Sequence, residues 1–218
     1  MTHITLINPN SSRSTTAMMA QIATKYLPAE MSIDGMTATR SPAMIIDDVA
    51  LAAAADEVVE MAMTVRERSA GIIVGAFGDP GLDRIRDEAG LLAVGICEAS
   101  MLVGGEGGRR FGIATVTPGL LASFAAKADV YGVGNLFTGT RLTDGDPLVI
   151  AADPEKLRCE LANAVRSCIE EDGAEAVIIG GGPLGQAAEA LQGQFSVPII
   201  APIRAAAELL VRRIAGRS

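Results

Sequence analysis

Two acidic residues stand where apolar runs of this chain turn into loops. Asp79 lies in Phe77-Gly78-Asp79-Pro80-Gly81, just past Ile72-Ile73-Val74, and Glu98 follows Val94-Gly95-Ile96-Cys97. A carboxylate at the end of a strand can take or return a proton beside a carbonyl, as general base or acid. Each also has an ordinary structural use. Asp before Pro is a turn residue, and an acid in the first turn of a helix complements its dipole. Glu98 could also pair with Arg204. Cys97 is a third proton carrier by type, and it reads equally as a small buried residue.

Other residues could hold a ligand. Asn8-Pro9-Asn10-Ser11-Ser12 follows the run Ile4–Ile7 and offers amide and hydroxyl groups. It can cradle an anion or an amide, and it can equally cap a helix, since Asn and Ser favour both places. Thr115 and Thr117 offer hydroxyls at the end of the run Phe111–Thr115. Phe77 and Gly78 lie in one strand-end turn, and Gly182 and Pro183 in another.

Gly180-Gly181-Gly182-Pro183-Leu184-Gly185 satisfies the spacing G-x-G-x-x-G. A dinucleotide site would need an acid at the end of the next strand, where Ala201-Pro202-Ile203-Arg204 has none. The turn therefore reads as a tight bend around a small ligand or packed backbone. His3 is the single histidine and precedes the first strand. No triad or metal cluster can be built around it, and neither cofactor nor metal is expected.

The elements that must position these residues alternate. Strand-length apolar runs are Ile4–Ile7, Ile72–Gly75, Leu92–Ile96, Phe111–Thr115, Val177–Ile179 and Val197–Ile200. Helical segments fall between them at 14–27, 48–69, 82–88, 119–128, 154–171, 184–191 and 203–214. Asp153-Pro154 reads as an N-cap with proline at the first helical position. Residues 132–150 fit no period and read as an irregular excursion with one short strand. The alternation predicts a parallel α/β sheet.

The chain also reads as two similar halves. Pro9 and Pro118 are 109 residues apart, Ala76 and Gly181 are 105, and Glu98 and Arg204 are 106. Near-constant offsets predict duplicated lobes, 1–98 with 205–218 and 99–204. In parallel sheets ligands bind at the carboxyl ends of strands, so the expected site lies in a cleft between the lobes. Helix N-termini there would favour a carboxylate or polarised carbonyl.

Composition bounds the partners. The chain has 218 residues, 49% hydrophobic and 20% charged, enough for a large core. A net charge of -8 with 3% aromatics lacks the footprint of a nucleic-acid binder. The apolar runs are too short to span a bilayer, and no secretory signal precedes the first strand. Three cysteines without metal spacing read as small buried residues in a reducing, cytoplasmic setting.

These residues together resemble the aspartate/glutamate/hydantoin racemase superfamily, and within it the hydantoin and allantoin racemases. The resemblance covers almost the whole chain. It rests on Ile7-Asn8-Pro9-Asn10-Ser11-Ser12, Gly75-Ala76-Phe77-Gly78-Asp79-Pro80-Gly81-Leu82, Val94-Gly95-Ile96-Cys97-Glu98-Ala99, Arg110-Phe111-Gly112 leading to Thr115, and the Gly180–Pro183 turn. It implies two pseudo-symmetric α/β lobes with the active site between them, no cofactor, a small-molecule substrate and a homo-oligomer.

The family's racemases use two cysteines on opposite faces of the substrate carbon. One thiolate removes a proton and the other thiol returns one. By the resemblance, these cysteines fall on Ala76 and Gly181, neither of which can carry a proton. Where the family typically has Cys-Ala-Gly, this chain has Gly181-Gly182-Pro183. That stretch argues for divergence rather than one engineered swap. The resemblance leaves Asn8, Asn10, Ser11, Phe77, Gly78, Thr115, Thr117, Gly182 and Pro183 to bind a small carboxylate or hydantoin-like cyclic amide. The expected function is racemase-type proton transfer next to a carbonyl without the thiol pair, served by Asp79 or Glu98. The alternatives are a lyase or decarboxylase, a water-using hydrolase, and a non-catalytic binding protein.

Overall fold

The computed structural model describes residues 2–216. The chain divides into two compact units, Met1–Ala99 with Ile203–Ser218, and Ser100–Pro202.

The first unit begins with β1 (Thr2–Asn8), α1 (Arg13–Thr24), β2 (Met31–Thr37) and α2 (Asp48–Thr64). It continues with β3 (Gly71–Val74), α3 (Leu82–Glu88), β4 (Ala93–Gly95) and the start of α4 (Ile96–Gly104). Its four strands are all parallel, in the order β2-β1-β3-β4. The inner strand β3 is an unbroken buried run, as expected of a strand covered on both faces. One core cluster joins Ile7, Ile72 and Val74 of the sheet to Val58, Ala62, Leu82 and Ile85 of α2 and α3.

The loop leaving β2 is held by a buried carboxylate. Glu57 of α2 accepts hydrogen bonds from Thr39 N (2.7 Å), Thr39 Oγ1 (2.9 Å) and Arg40 N (3.0 Å). Burial pushes its pKa up, but these donors and the Arg40 charge outweigh burial and hold it below the usual range. A depressed folded-state pKa gives stability that is present above the unfolded value and lost as pH falls through the folded one. Glu57→Gln is therefore expected to lose about 1–3 kcal/mol at pH 7. The gap to wild type should narrow at an acidic pH well below the ordinary glutamate value of about 4.3, as Glu57 is protonated in the folded state. Urea denaturation at the two pH values measures this, and a gap independent of pH would refute it.

The second unit contains β5 (Phe111–Thr115), α5 (Leu121–Val130), β6 (Phe137–Leu142), α6 (Pro147–Ala151) and α7 (Pro154–Glu170). It ends with β7 (Ala176–Ile179), α8 (Gly185–Leu191) and β8 (Ile199–Ile200). Its sheet is parallel with the order β6-β5-β7-β8, the same winding as the first. The chain then rejoins the first unit as α9 (Pro202–Ala215). Gly71 lets α9 close on β3, since a Cβ there would meet Leu210 Cδ1 at 2.8 Å.

The two sheets match at individual hydrogen bonds. Gly75 N donates to Ile7 O at 2.8 Å, and Gly180 N to Ala114 O at 2.9 Å. Ala38 N donates to Asn8 O at 3.0 Å, and Thr143 N to Thr115 O at 3.0 Å. By these roles Asn8 corresponds to Thr115 and Gly75 to Gly180, which makes Ala76 the counterpart of Gly181 in the repeat.

Some elements differ from the sequence reading. β2 was not anticipated, and residues 132–150 hold both β6 and α6. α4 begins where strand residues were expected to end. Asp153 caps α7 as expected, accepting from Glu155 N and Lys156 N at 3.1 Å each. Cys97 and Cys168 are buried, but Cys159 is exposed. The buried stripe of α7 runs through Leu157, Leu161, Ala164, Val165 and Cys168, and Cys159 falls off it. Burial pushes the Cys168 thiol up to about 12.

Candidate functional site

In the first unit the site residues leave the carboxyl ends of the neighbouring strands β1 and β3. Asn8 is fully buried and works as a hub. Its Nδ2 donates to Asn10 Oδ1 (2.8 Å), Thr16 Oγ1 (3.0 Å) and Ser12 O (3.1 Å), and its Oδ1 accepts from Asn10 N (3.2 Å). Asn10 Oδ1 also accepts from Ser12 N at 2.9 Å. Ser12 in turn caps α1 through Thr15 N at 3.2 Å. Thus the capping and cradle readings of this segment are compatible. Asn10 spends its carbonyl on the loop, and its Nδ2 has no partner among the described residues. Ser11 is half-buried and tied by its backbone N–H to Pro42 O at 3.1 Å.

The turn after β3 is tight. Ala76 and Phe77 are buried, and Asp79 N donates back to Ala76 O at 3.1 Å. Gly78 has φ +118, and a Cβ there would strike Leu51 Cδ2 at 2.6 Å, so the turn requires glycine. Asp79 also has a left-handed backbone, φ 54, which Asp tolerates better than most residues.

Asp79 is 2% exposed, and both its oxygens serve one helix end. Oδ1 accepts from Cys97 N at 2.9 Å and Oδ2 from Glu98 N at 2.7 Å. These charge-assisted bonds satisfy two orphan donors of α4 and place an anion at the positive end of its dipole. Gly95 makes room for them, because a Cβ at 95 would lie inside the Asp79 carboxyl group.

Glu98 is 5% exposed. Its Oε2 accepts from Arg86 Nη2 at 2.6 Å and its Oε1 from Arg213 Nη2 at 2.9 Å. The pairing with Arg204 considered from the sequence is replaced. Arg204 pairs with Glu208 at 2.9 Å and lies over the Tyr26 ring at 5.0 Å. Spacing along α9 explains this, since Glu208 is one turn from Arg204. Arg86 and Arg213 were missed in their role at Glu98. Arg213 is 115 residues from its partner, and no local pattern marks so distant a pair.

In the second unit the corresponding residues leave β5 and β7. Thr115 is fully buried; its Oγ1 donates to Gly180 O at 2.6 Å and lies 3.2 Å from Thr117 Oγ1. Gly181 opens the turn, Leu184 N donates to Gly181 O at 3.1 Å, and Gly182 and Pro183 complete it. A Cβ at 181 would sit 3.1 Å from Leu184 Cγ. No cluster of three or more His, Cys, Asp or Glu able to hold a metal is found among the described residues. None of their helices is long and apolar enough to cross a membrane.

Two units, each with a parallel sheet of the same strand order and a Gly-containing turn beside a polar strand end, define the class. Residues 4–210 match the Asp/Glu/Hydantoin racemase family, and the chain belongs to it. It is 29% identical over 214 residues to a hydantoin racemase of Rhizobium meliloti, covering 95% of this chain and 86% of that protein. Among solved structures, the allantoin racemase of Klebsiella pneumoniae superposes with a TM-score of 0.88 at 26% identity, covering 100% of this chain and 89% of that one. The allantoin racemase of Pseudomonas fluorescens shares the fold with a TM-score of 0.92 at 19% identity, covering 99% and 92%.

Proposed function

We propose that this chain is a cofactor-independent isomerase that exchanges the proton on a carbon next to a carbonyl, in a small amino-acid-like carboxylate or hydantoin-like cyclic amide, without a thiol pair. One observation carries the reading. The turns at 76 and 181 correspond by their hydrogen bonds, yet hold a methyl group and a hydrogen, while the polar strand ends beside them are kept. Hydantoin and allantoin racemases among the relatives support the substrate class.

In this reading the Asn10 amide holds the ligand's carbonyl or carboxylate and stabilises the enolate-like charge as it forms. The proton leaves to a water in the space a thiol would fill, and its electron pair stays on the substrate. A solvent proton then returns to either face. Asp79 and Glu98 serve by fixing α4 and the 76–79 turn, since their oxygens are committed to backbone and arginine donors. The proposal includes the homo-oligomeric assembly that the family resemblance implies and the cytoplasmic setting read from the cysteines.

Proton NMR in D2O tests the proposal, with a panel of hydantoins, allantoin, aspartate, glutamate and arylmalonates. The expected result is loss of an α-proton signal with the carbon skeleton unchanged. Prior alkylation of the exposed Cys159 should leave the rate within twofold. A new skeleton would mean a lyase or hydrolase instead. Ligand-dependent thermal stabilisation without exchange would mean a binding protein.

A further inference from the structure

At the other end of the first unit's sheet from these turns, two arginines converge on one carboxylate beside an open cavity. The cavity holds about 290 Å³ and is lined by Arg86, Gly90, Leu91, Leu92, Ala93 and Arg213. Arg86 donates through Nε (3.2 Å) and Nη2 (2.9 Å) to Ala93 O, and through Nη2 to Glu98 Oε2 at 2.6 Å. Arg213 donates through Nη1 to Ala93 O (3.3 Å) and Glu98 Oε2 (3.2 Å), and through Nη2 to Glu98 Oε1 (2.9 Å). Asp83, on the exposed side of α3, lies 3.6 Å from Arg86 Nη1.

Glu98 is buried and serves both guanidinium groups, while Asp79, also buried, is bonded to the backbone N–H groups of Cys97 and Glu98. Each arginine occupies the last turn of its helix, where a cation is favoured, and each side chain stays about 30% exposed toward the cavity. A guanidinium presents five donors in a planar fork suited to carboxylate and phosphate oxygens. Among the described residues Arg213 Nε has no acceptor, and Arg86 Nη1 has only the long Asp83 pairing. The backbone wall turns at Gly90, whose φ is +63 and where an added Cβ would meet nothing within 4 Å.

We propose that Arg86 and Arg213 form a binding site for a small oxyanion of phosphate or carboxylate type, in which Glu98 is the built-in competitor for the two arginines. The site is coupled to the candidate active site by a short path. An anion that draws the guanidinium groups from Glu98 loosens that residue, whose own N–H is held by Asp79 of the 76–79 turn.

Calorimetric titration of the full chain with inorganic phosphate, and separately with acetate, at ionic strength fixed by chloride, tests this. Saturable binding above the chloride background is expected. The better of the two anions identifies the chemical source. Arg86→Gln and Arg213→Gln should each weaken binding at least tenfold. Glu98→Gln keeps the shape, removes the competing charge and should tighten binding at least threefold. That variant also keeps the test decisive should an arginine variant fail to fold. Absence of saturable binding by either anion, arginine variants that bind as wild type, or a Glu98→Gln variant that binds no tighter would each overturn the proposal.

Discussion

Gly95→Ala is expected to be among the most damaging single-methyl additions in this protein, costing at least about 3 kcal/mol. The added Cβ would occupy the volume of the Asp79 carboxyl group. Asp79 cannot step aside, because its two oxygens hold Cys97 N and Glu98 N and its surroundings are buried. Either the α4 N-terminus loses both caps or the strand–helix junction at Gly95–Ile96 deforms. Asp79→Ala alone strands the two donors and should cost about 2–4 kcal/mol. The double variant removes the collision and the cap together, so it should be no less stable than Gly95→Ala alone. Urea denaturation of the three variants decides the matter. Strictly additive losses, or a Gly95→Ala variant within about 1 kcal/mol of wild type, would show that the collision is relieved some other way.

The second large effect lies at Asn8. Its two amide hydrogens are shared among three acceptors and its carbonyl takes the Asn10 N–H, with Asn8 fully buried. Asn8→Ala leaves buried partners unsatisfied and should cost about 2–4 kcal/mol. Asn8→Asp should cost more, about 3–5 kcal/mol, although it is closer in shape. A carboxylate cannot donate, and it would face the oxygens of Asn10, Ser12 and Thr16. The order of the two variants is the informative result. Were Asp tolerated better than Ala, the amide of Asn8 would have to be oriented with its oxygen toward these partners.

The sequence revealed strands in proportion to their burial. The strands β1, β3, β5 and β7 read clearly because their central residues are buried on both faces and show continuous apolar runs. The edge strands split by burial: β4 and β8 are buried and read as apolar runs, whereas β2 is half-exposed along its length and carries Asp34-Gly35, and β6 is intermediate at nearly every position. A half-exposed edge strand of mixed residues shows neither an apolar run nor a clear period of two. α4 was hidden by its own shortness and by Gly104-Gly105 at its end. The strand-end turns were legible because Asn, Gly, Pro and Asp carry their turn chemistry locally. The capping by Asp79 and the pairing of Glu98 with Arg86 and Arg213 were not, since these partners lie at least 12 residues away in sequence.

The return of α9 to the first unit has a consequence for how the chain emerges during synthesis. Glu98 and Arg213 are 115 residues apart. At about 5–20 residues per second, the carboxylate is made some ~6–23 s before its second cation. The whole stretch Ser100–Pro202 is made within that interval. The unit begun first is therefore completed last: until α9 arrives, Gly71 lacks its Leu210 neighbour and Glu98 has Arg86 alone. The second unit is synthesised whole before the first is complete, and until then the first presents the sheet around Gly71 without its α9 cover.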